Sequence, residues 1–233
     1  MTSTYIRLAA PLQSWATARV SGNIVHTESI PSRSALCGLI ASSCGFNRNA
    51  WAEWIHEVDL TLRLDNAGTL VDDFHTIGPR NEDIEFQQRF WTLTTGKKWS
   101  KNGILTPDAR AGTSIVNRTY LAHATFLAEI SHPVQGERIY KALRNPVFTN
   151  YLGKKAFAPT FPFVLGKGPA GLLQTLPTCA DNHFEGDTPD GTEGTVPLQL
   201  VDLDDSTQKY QRVWVRALPK DQWLEQIRKH LTL

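Results

Sequence analysis

Cysteine is scarce. The chain of 233 residues has three, Cys37, Cys44 and Cys179. No C-x-x-C pair occurs, so neither a disulfide framework nor a zinc ribbon is read, and the thiols are expected to be reduced and packed. Long apolar runs are lacking too. The longest low-charge stretch, Ser34–Asn47, is broken by Ser, Gly and Cys and is too short to cross a bilayer. Met1–Trp15 has no basic segment followed by an apolar core, so the expectation is a mature protein of the cytoplasm with no membrane partner. Neither G-x-x-x-x-G-K-[ST] nor G-x-G-x-x-G is present, and Gly166-Lys167-Gly168 reads as a turn. What is there suits a globular chain. Hydrophobic residues make up 41% and charged residues 20%, enough for a real core in one large domain or a domain with an appendage.

The net charge of +1 hides an asymmetry. Residues 177–208 hold eight acids and no Lys or Arg, leaving 24 basic residues against 15 acidic ones elsewhere, a balance of +9. A basic body points to a polyanionic partner, and the acidic stretch reads as a solvated loop.

Tyr5–Leu8 reads as a first strand stopped by Pro11, followed by a long connection over residues 11–30. Pro31 in the first turn, a cap at Ser32 or Ser34, and a stripe of Ala35, Leu36, Leu39, Ile40 and Ser43 predict a helix that Gly45 ends. A second short helix is expected over Ala50–Glu57. Val58–Asp65 alternates apolar and polar residues as a half-buried strand does, and Leu70–Thr76 reads as its return strand after the Asn66-Ala67-Gly68 turn. Residues 77–118 lose the pattern. They carry seven basic residues, four acids, and aromatics that include Phe90, Trp91 and Trp99, and read as a projecting excursion. A strand is expected over Tyr120–Ile130, a helix opening at Pro133 and closing before Pro146, and a tight turn over Tyr151–Lys155. Strands at Val196–Asp202 and Tyr210–Ala217 and a helix at Asp221–Leu231 complete the chain. The order strand, helix, strand, strand, excursion, strand, helix, strand predicts an α+β, ferredoxin-like fold with an insertion.

Asp72-Asp73-Phe74-His75 is the best local metal candidate, but no second His/Asp cluster accompanies it, so no metal site is assigned. His26, His75 and His123, with Tyr120, Tyr151 and Lys154 as helpers, are the general acid–base candidates for a metal-independent ribonuclease. Scattered singly, they are better read as RNA contacts. Basic residues also recur beside aromatic or small ones, as in Ser32-Arg33-Ser34, Arg89-Phe90-Trp91, Lys98-Trp99 and Tyr151-Leu152-Gly153-Lys154-Lys155. Aromatic rings stack on unpaired bases while Lys and Arg neutralise phosphates, so single-stranded RNA binding is expected.

Four ordered stretches resemble one family. They are Tyr5–Ala16 with its Pro-Leu-Gln-Ser-Trp, Ile30–Gly45, Arg118–Phe126 (Arg-Thr-Tyr-Leu-Ala-His-Ala-Thr-Phe), and Asn145–Lys155 with its Tyr-Leu-Gly-Lys-Lys. Together they resemble the CasD group, the "Cas five" subunits of subtype I-E CRISPR Cascade. Two departures stand out: His123 occupies a place where that family usually has Asp, and Lys154 one where it usually has Arg. Lys keeps the charge but not the planar two-pronged fork.

The resemblance implies a RAMP-type, RRM-like body over residues 1–76 and 119–168. It also implies an inserted thumb at 77–118 and a β-rich C-terminal extension at 169–233. It implies a non-catalytic subunit, without cofactor or metal, that holds the 5′ handle of the mature CRISPR RNA at one end of Cascade. The implied partners are the CasC-type backbone subunit and the CasA-type large PAM-reading subunit, with target DNA reached only through the complex. Gln13, Ser14, Trp15 and Arg19, Arg33 and Ser34, and Gly153, Lys154 and Lys155 would contact the handle. His75, Arg80 and Arg118 would line the base of the thumb. Subtype I-C relatives do cut RNA, which makes a metal-independent endoribonuclease of CRISPR repeat RNA the alternative.

Overall fold

A computed structural model of the chain describes residues 2–15, 24–48, 50–77, 91–96, 114–179, 194–204 and 209–233. They fall into two compact units. The first draws on residues 1–18, 27–71 and 120–233, the second on 19–26 and 72–119.

The first unit is built on β1 (Thr2–Ala9), whose Tyr5, Ile6 and Leu8 are wholly buried. It pairs antiparallel with β7 (Thr125–Ser131) on one side and β8 (Val164–Pro169) on the other. β7 pairs antiparallel with β4 (Asp59–Asn66), β4 with β10 (Thr195–Asp202), and β10 with β11 (Tyr210–Leu218). The short β9 (Thr178–Cys179) closes a seven-stranded sheet of order β8-β1-β7-β4-β10-β11-β9.

Helices α1 (Arg33–Ser43) and α2 (Gly136–Arg144) cover one face of this sheet. Leu36, Leu39, Ile40, Ile139 and Leu143 pack there against Ile6, Leu8, Leu60, Leu62 and Val201. The other face packs Tyr5, Leu127, Leu198, Val213 and Val215 against Leu173, Leu176 and Trp223 and Ile227 of α3 (Lys220–His230). The molecule is therefore mixed α+β and dominated by its sheet. Among the described residues no helix is long and apolar enough to cross a membrane.

Several sequence expectations need correction. Residues Leu70–Thr76 do lie in a strand, β5 (Thr69–Ile77), but it does not return along β4. It pairs instead with β6 (Ser114–Ala122), which also pairs with β2 (Leu12–Gln13) and β3 (Ile24–Val25). β4 has β7 and β10 on its two sides and no room for β5. The single strand expected over Tyr120–Ile130 is two, β6 and β7, because His123 takes φ 58° and turns the chain. Asn, Asp and His tolerate that left-handed region better than most residues.

Pro133 and Val134 precede the helix, which begins at Gly136. Residues Glu53–Glu57 form a 3-10 turn inside the span expected to be helical. Pro31 lies outside α1, whose N-cap is Ser32, its hydroxyl accepting from the Ala35 N–H. Gly166-Lys167-Gly168 is not a turn but the middle of β8. There the glycine at φ 143° lets the C-terminal chain approach: a Cβ on Gly166 would meet the Thr232 carbonyl at 2.8 Å.

The polar side of β4 is not solvent-facing either. Arg63 and Asp65 are buried beneath residues 173–178. None of the three cysteines is in a disulfide; Cys37 and Cys179 are buried, and burial pushes the Cys37 and Cys44 thiols up.

Candidate nucleic-acid interface

The chain leaving β2 and the turn at residues 150–157 are locked together. The Ser14 N–H donates to the Leu152 carbonyl at 3.1 Å, and Leu152 and Phe157 close the turn on themselves. Gly153, at φ 90°, makes the approach possible: a Cβ there would lie 1.6 Å from the Ser14 carbonyl oxygen. Beside this crossing, the Lys154 ammonium donates to the Tyr120 hydroxyl and lies 4.1 Å from the Tyr120 ring centroid. Phe157 stands edge-on to Tyr120 at 5.1 Å. Lys155 and Tyr151 are exposed next to it. A cation held against an aromatic pair, with a second, exposed cation beside it, offers charge to a phosphate and a ring to a base.

Two of the expected contacts are structural instead. The Gln13 side chain is fully buried. Its amide donates to the Ala124 carbonyl at 2.7 Å and its oxygen accepts from the Trp15 indole N–H at 3.1 Å. Trp15 is buried with it, and its backbone is held by Thr27 and Glu28. These side chains set the loop's path and leave Ser14 at the surface of the crossing. Gln13→Ala is expected to cost about 1–3 kcal/mol by leaving the indole N–H and the Ala124 carbonyl unpaired in the core. A urea unfolding curve superimposable on the parent's would refute it.

Arg33 is likewise committed. Its guanidinium pairs with Asp204 and donates to the His56 and Val58 carbonyls at 2.9 and 2.8 Å. It ties the start of α1 to the chain ends flanking β4 and β10, and its side chain stays partly exposed while it acts as this internal clamp. Ser34 is exposed on the first turn, its hydroxyl near that of Ser32. Asn150 is bonded to Ser43 at the opposite end of the helix, about 15 Å along the axis by the helical rise.

In the second unit, His75 pairs with Asp73 on the same face of β5. Arg118 lies on β6 in register with Val25, and its Nε is buried without a hydrogen-bond partner. Arg19, Arg80 and most of the excursion and of the acidic stretch lie outside the described residues. Sequence reasoning does not single out Phe157 or Thr27. Their roles depend on contacts between distant segments, and no local pattern encodes them.

Against known proteins, the family model described as CRISPR-associated protein (Cas_Cas5) matches residues 5–211. The CRISPR system Cascade subunit CasD of Escherichia coli (strain K12) is 25% identical over 196 residues, covering 77% of this chain and 80% of that protein. A chain solved within a CRISPR RNA-guided surveillance complex has the same fold, with a TM-score of 0.71 and 24% identity over 97% of this chain and 98% of its own. With a model spanning almost all of the main sheet, and with the Tyr-Leu-Gly-Lys-Lys turn seated on the loop after β2, the chain belongs to the Cas_Cas5 family of CRISPR-associated proteins.

Proposed function

We propose that the chain is a CRISPR RNA-binding subunit of a Cascade-type surveillance complex, working in the cytoplasm as a scaffold and not as a nuclease. The observation that carries this reading is the Gly153–Lys155 turn, clasped to Ser14 and presenting Lys154 and Lys155 beside Tyr120 and Phe157. On this reading the crossing holds the 5′ handle of the RNA. Arg118, with its buried and unpaired Nε, and His75 serve at the base of a thumb formed by residues 77–118. The strand–helix–strand–strand–helix–strand run of β1, α1, β4, β7, α2 and β8 is then the ferredoxin-like RAMP body. A CasC-type backbone subunit and a CasA-type large subunit are the partners, and target DNA is met through the complex.

Purification of the full chain with its native RNA tests the reading. A bound RNA with one defined 5′ end is expected, and heterogeneous ends would count against a handle site. Incubation with repeat RNA in EDTA separates the alternative: a site-specific cut abolished by His75→Ala would make the protein a ribonuclease. Within the interface, Lys154→Ala is expected to weaken RNA binding irrespective of base sequence. It should also lower the slope of log K against log salt by about one unit. An unchanged slope removes Lys154 from the phosphate path.

A further inference from the structure

β11 carries a second surface that the handle reading does not use. Along it Tyr210, Arg212, Trp214 and Arg216 alternate with the buried Val213 and Val215. Register fixes which face they occupy. Tyr210 lies opposite Val201, Arg212 opposite Gln199, and Trp214 opposite Pro197. Val201 packs in the core beneath α1, so these four side chains project from the face that α1 and α2 cover elsewhere. Among the described residues no helix supplies that cover over β10 and β11: Tyr210 is 50% and Trp214 49% exposed, and both arginines are exposed. No acidic residue shares this face of the two strands, because Asp202 alternates to the other side. Among the described residues neither arginine has an ion-pair or hydrogen-bond partner, whereas Arg63 of β4 and Lys167 of β8 in the same sheet are paired.

Two large rings left half in water on a strand are unfavourable unless something covers them. Alternation at the two-residue period places a cation between the rings and another beyond them, at steps of about 6.8 Å along the strand. Tyr, Trp and Arg also suit a protein partner. Here, though, two uncompensated positive charges interleave with the stacking platforms, and charge complementarity favours a polyanion whose units each bring a flat ring. We infer that this face of β11 binds a single-stranded nucleic acid, with bases stacked on Tyr210 and Trp214 and phosphates met by Arg212 and Arg216. The site is separate from the Lys154 crossing and reads no defined sequence.

The test uses the full chain with short oligouridylate and oligothymidylate, neither containing a handle, so its outcome is independent of the handle reading. The Tyr210→Ala/Trp214→Ala variant should bind at least one of the two about tenfold more weakly or worse, with an unchanged thermal unfolding curve. The Arg212→Gln/Arg216→Gln variant should lower the salt slope by about two units. Both effects should persist in a Lys154→Ala background. Loss confined to oligouridylate assigns the site to RNA through its 2′-hydroxyl, loss confined to oligothymidylate assigns it to DNA, and loss of both assigns it to either strand. Failure of the parent to bind either oligonucleotide overturns the inference, as does equal binding by parent and variants. Equal binding together with loss of the variants from the assembled complex would reassign the face to a protein partner.

Discussion

Arg63→Ala is expected to lower the unfolding free energy by about 3–5 kcal/mol, because it leaves Asp65 buried without its ion-pair partner. Arg63 is fully buried. It donates to both Asp65 carboxylate oxygens at 2.7 and 2.9 Å and to the carbonyls of Leu173, Leu176 and Pro177. Once the guanidinium is gone, Asp65 keeps the Thr178 hydroxyl as its hydrogen-bond donor among the described side chains, with Arg7 the remaining cation acting on it. The Leu173 and Leu176 carbonyls lose this donor in the same step, while Pro177 keeps the Trp223 indole N–H, and the segment that roofs the second core loses one of its anchors. A domain has about 5–15 kcal/mol in total, so this one truncation removes a third or more of it in most cases. For a chain of this size the fall in Tm is on the order of 10 °C. The double variant Arg63→Met/Asp65→Leu should recover most of the loss, since an apolar pair of similar volume leaves no charge behind. Urea unfolding of the three proteins decides it. A single variant within about 1 kcal/mol of the parent would mean that water reaches Asp65.

Gly153→Ala should abolish the Ser14 crossing while leaving the main sheet intact. A left-handed conformation costs an L-residue about 1–2 kcal/mol. The added Cβ also falls 1.6 Å from a backbone oxygen, which no side-chain rotation can relieve. The turn must swing away, breaking the bond from the Ser14 N–H to Leu152 and drawing Lys154 off Tyr120. RNA affinity is expected to fall about tenfold or more, as much as for Lys154→Ala, although no charge has been removed. Filter binding of both variants with one RNA gives the comparison, and near- and far-ultraviolet circular dichroism report the fold. Parental affinity in Gly153→Ala would show that the turn's geometry is irrelevant to the RNA.

Much of this architecture is legible in the sequence because it follows from local periodicity. The strand at β1, the cap at Ser32 and the stripe Leu36, Leu39 and Ile40 are each set by neighbours a few residues away. What escapes is decided by partners far along the chain. Nothing near Arg63 announces that residues 173–178 will roof it, so alternation reads it as solvent-facing. β5 is recognised as a strand, yet its partner is chosen by the occupancy of both sides of β4 by β7 and β10. The site divides in the same way. Gly153, Lys154 and Ser14 are picked out by motif, and the structure brings them together at one crossing. Gln13, Trp15 and Arg33 belong to the same motifs but spend their polar atoms inside the protein. A motif conserves both what touches a ligand and what shapes the surface that does, and residue type alone does not separate the two.

On the ribosome, β1 emerges long before either strand that flanks it. Thr4 must wait for Ile130 on one side and Lys167 on the other. At ordinary elongation rates of 5–20 residues per second that interval is roughly ten to thirty seconds. β4 waits a comparable time for its outer neighbour, since Leu64 is met by Gln199 near the end of synthesis. Until then the nascent chain carries two apolar strands with open edges and a cation destined for the core. The last third of the chain therefore governs whether the first third stays soluble while it is being made, and a premature stop before residue 195 would leave a fragment fit for aggregation or proteolysis.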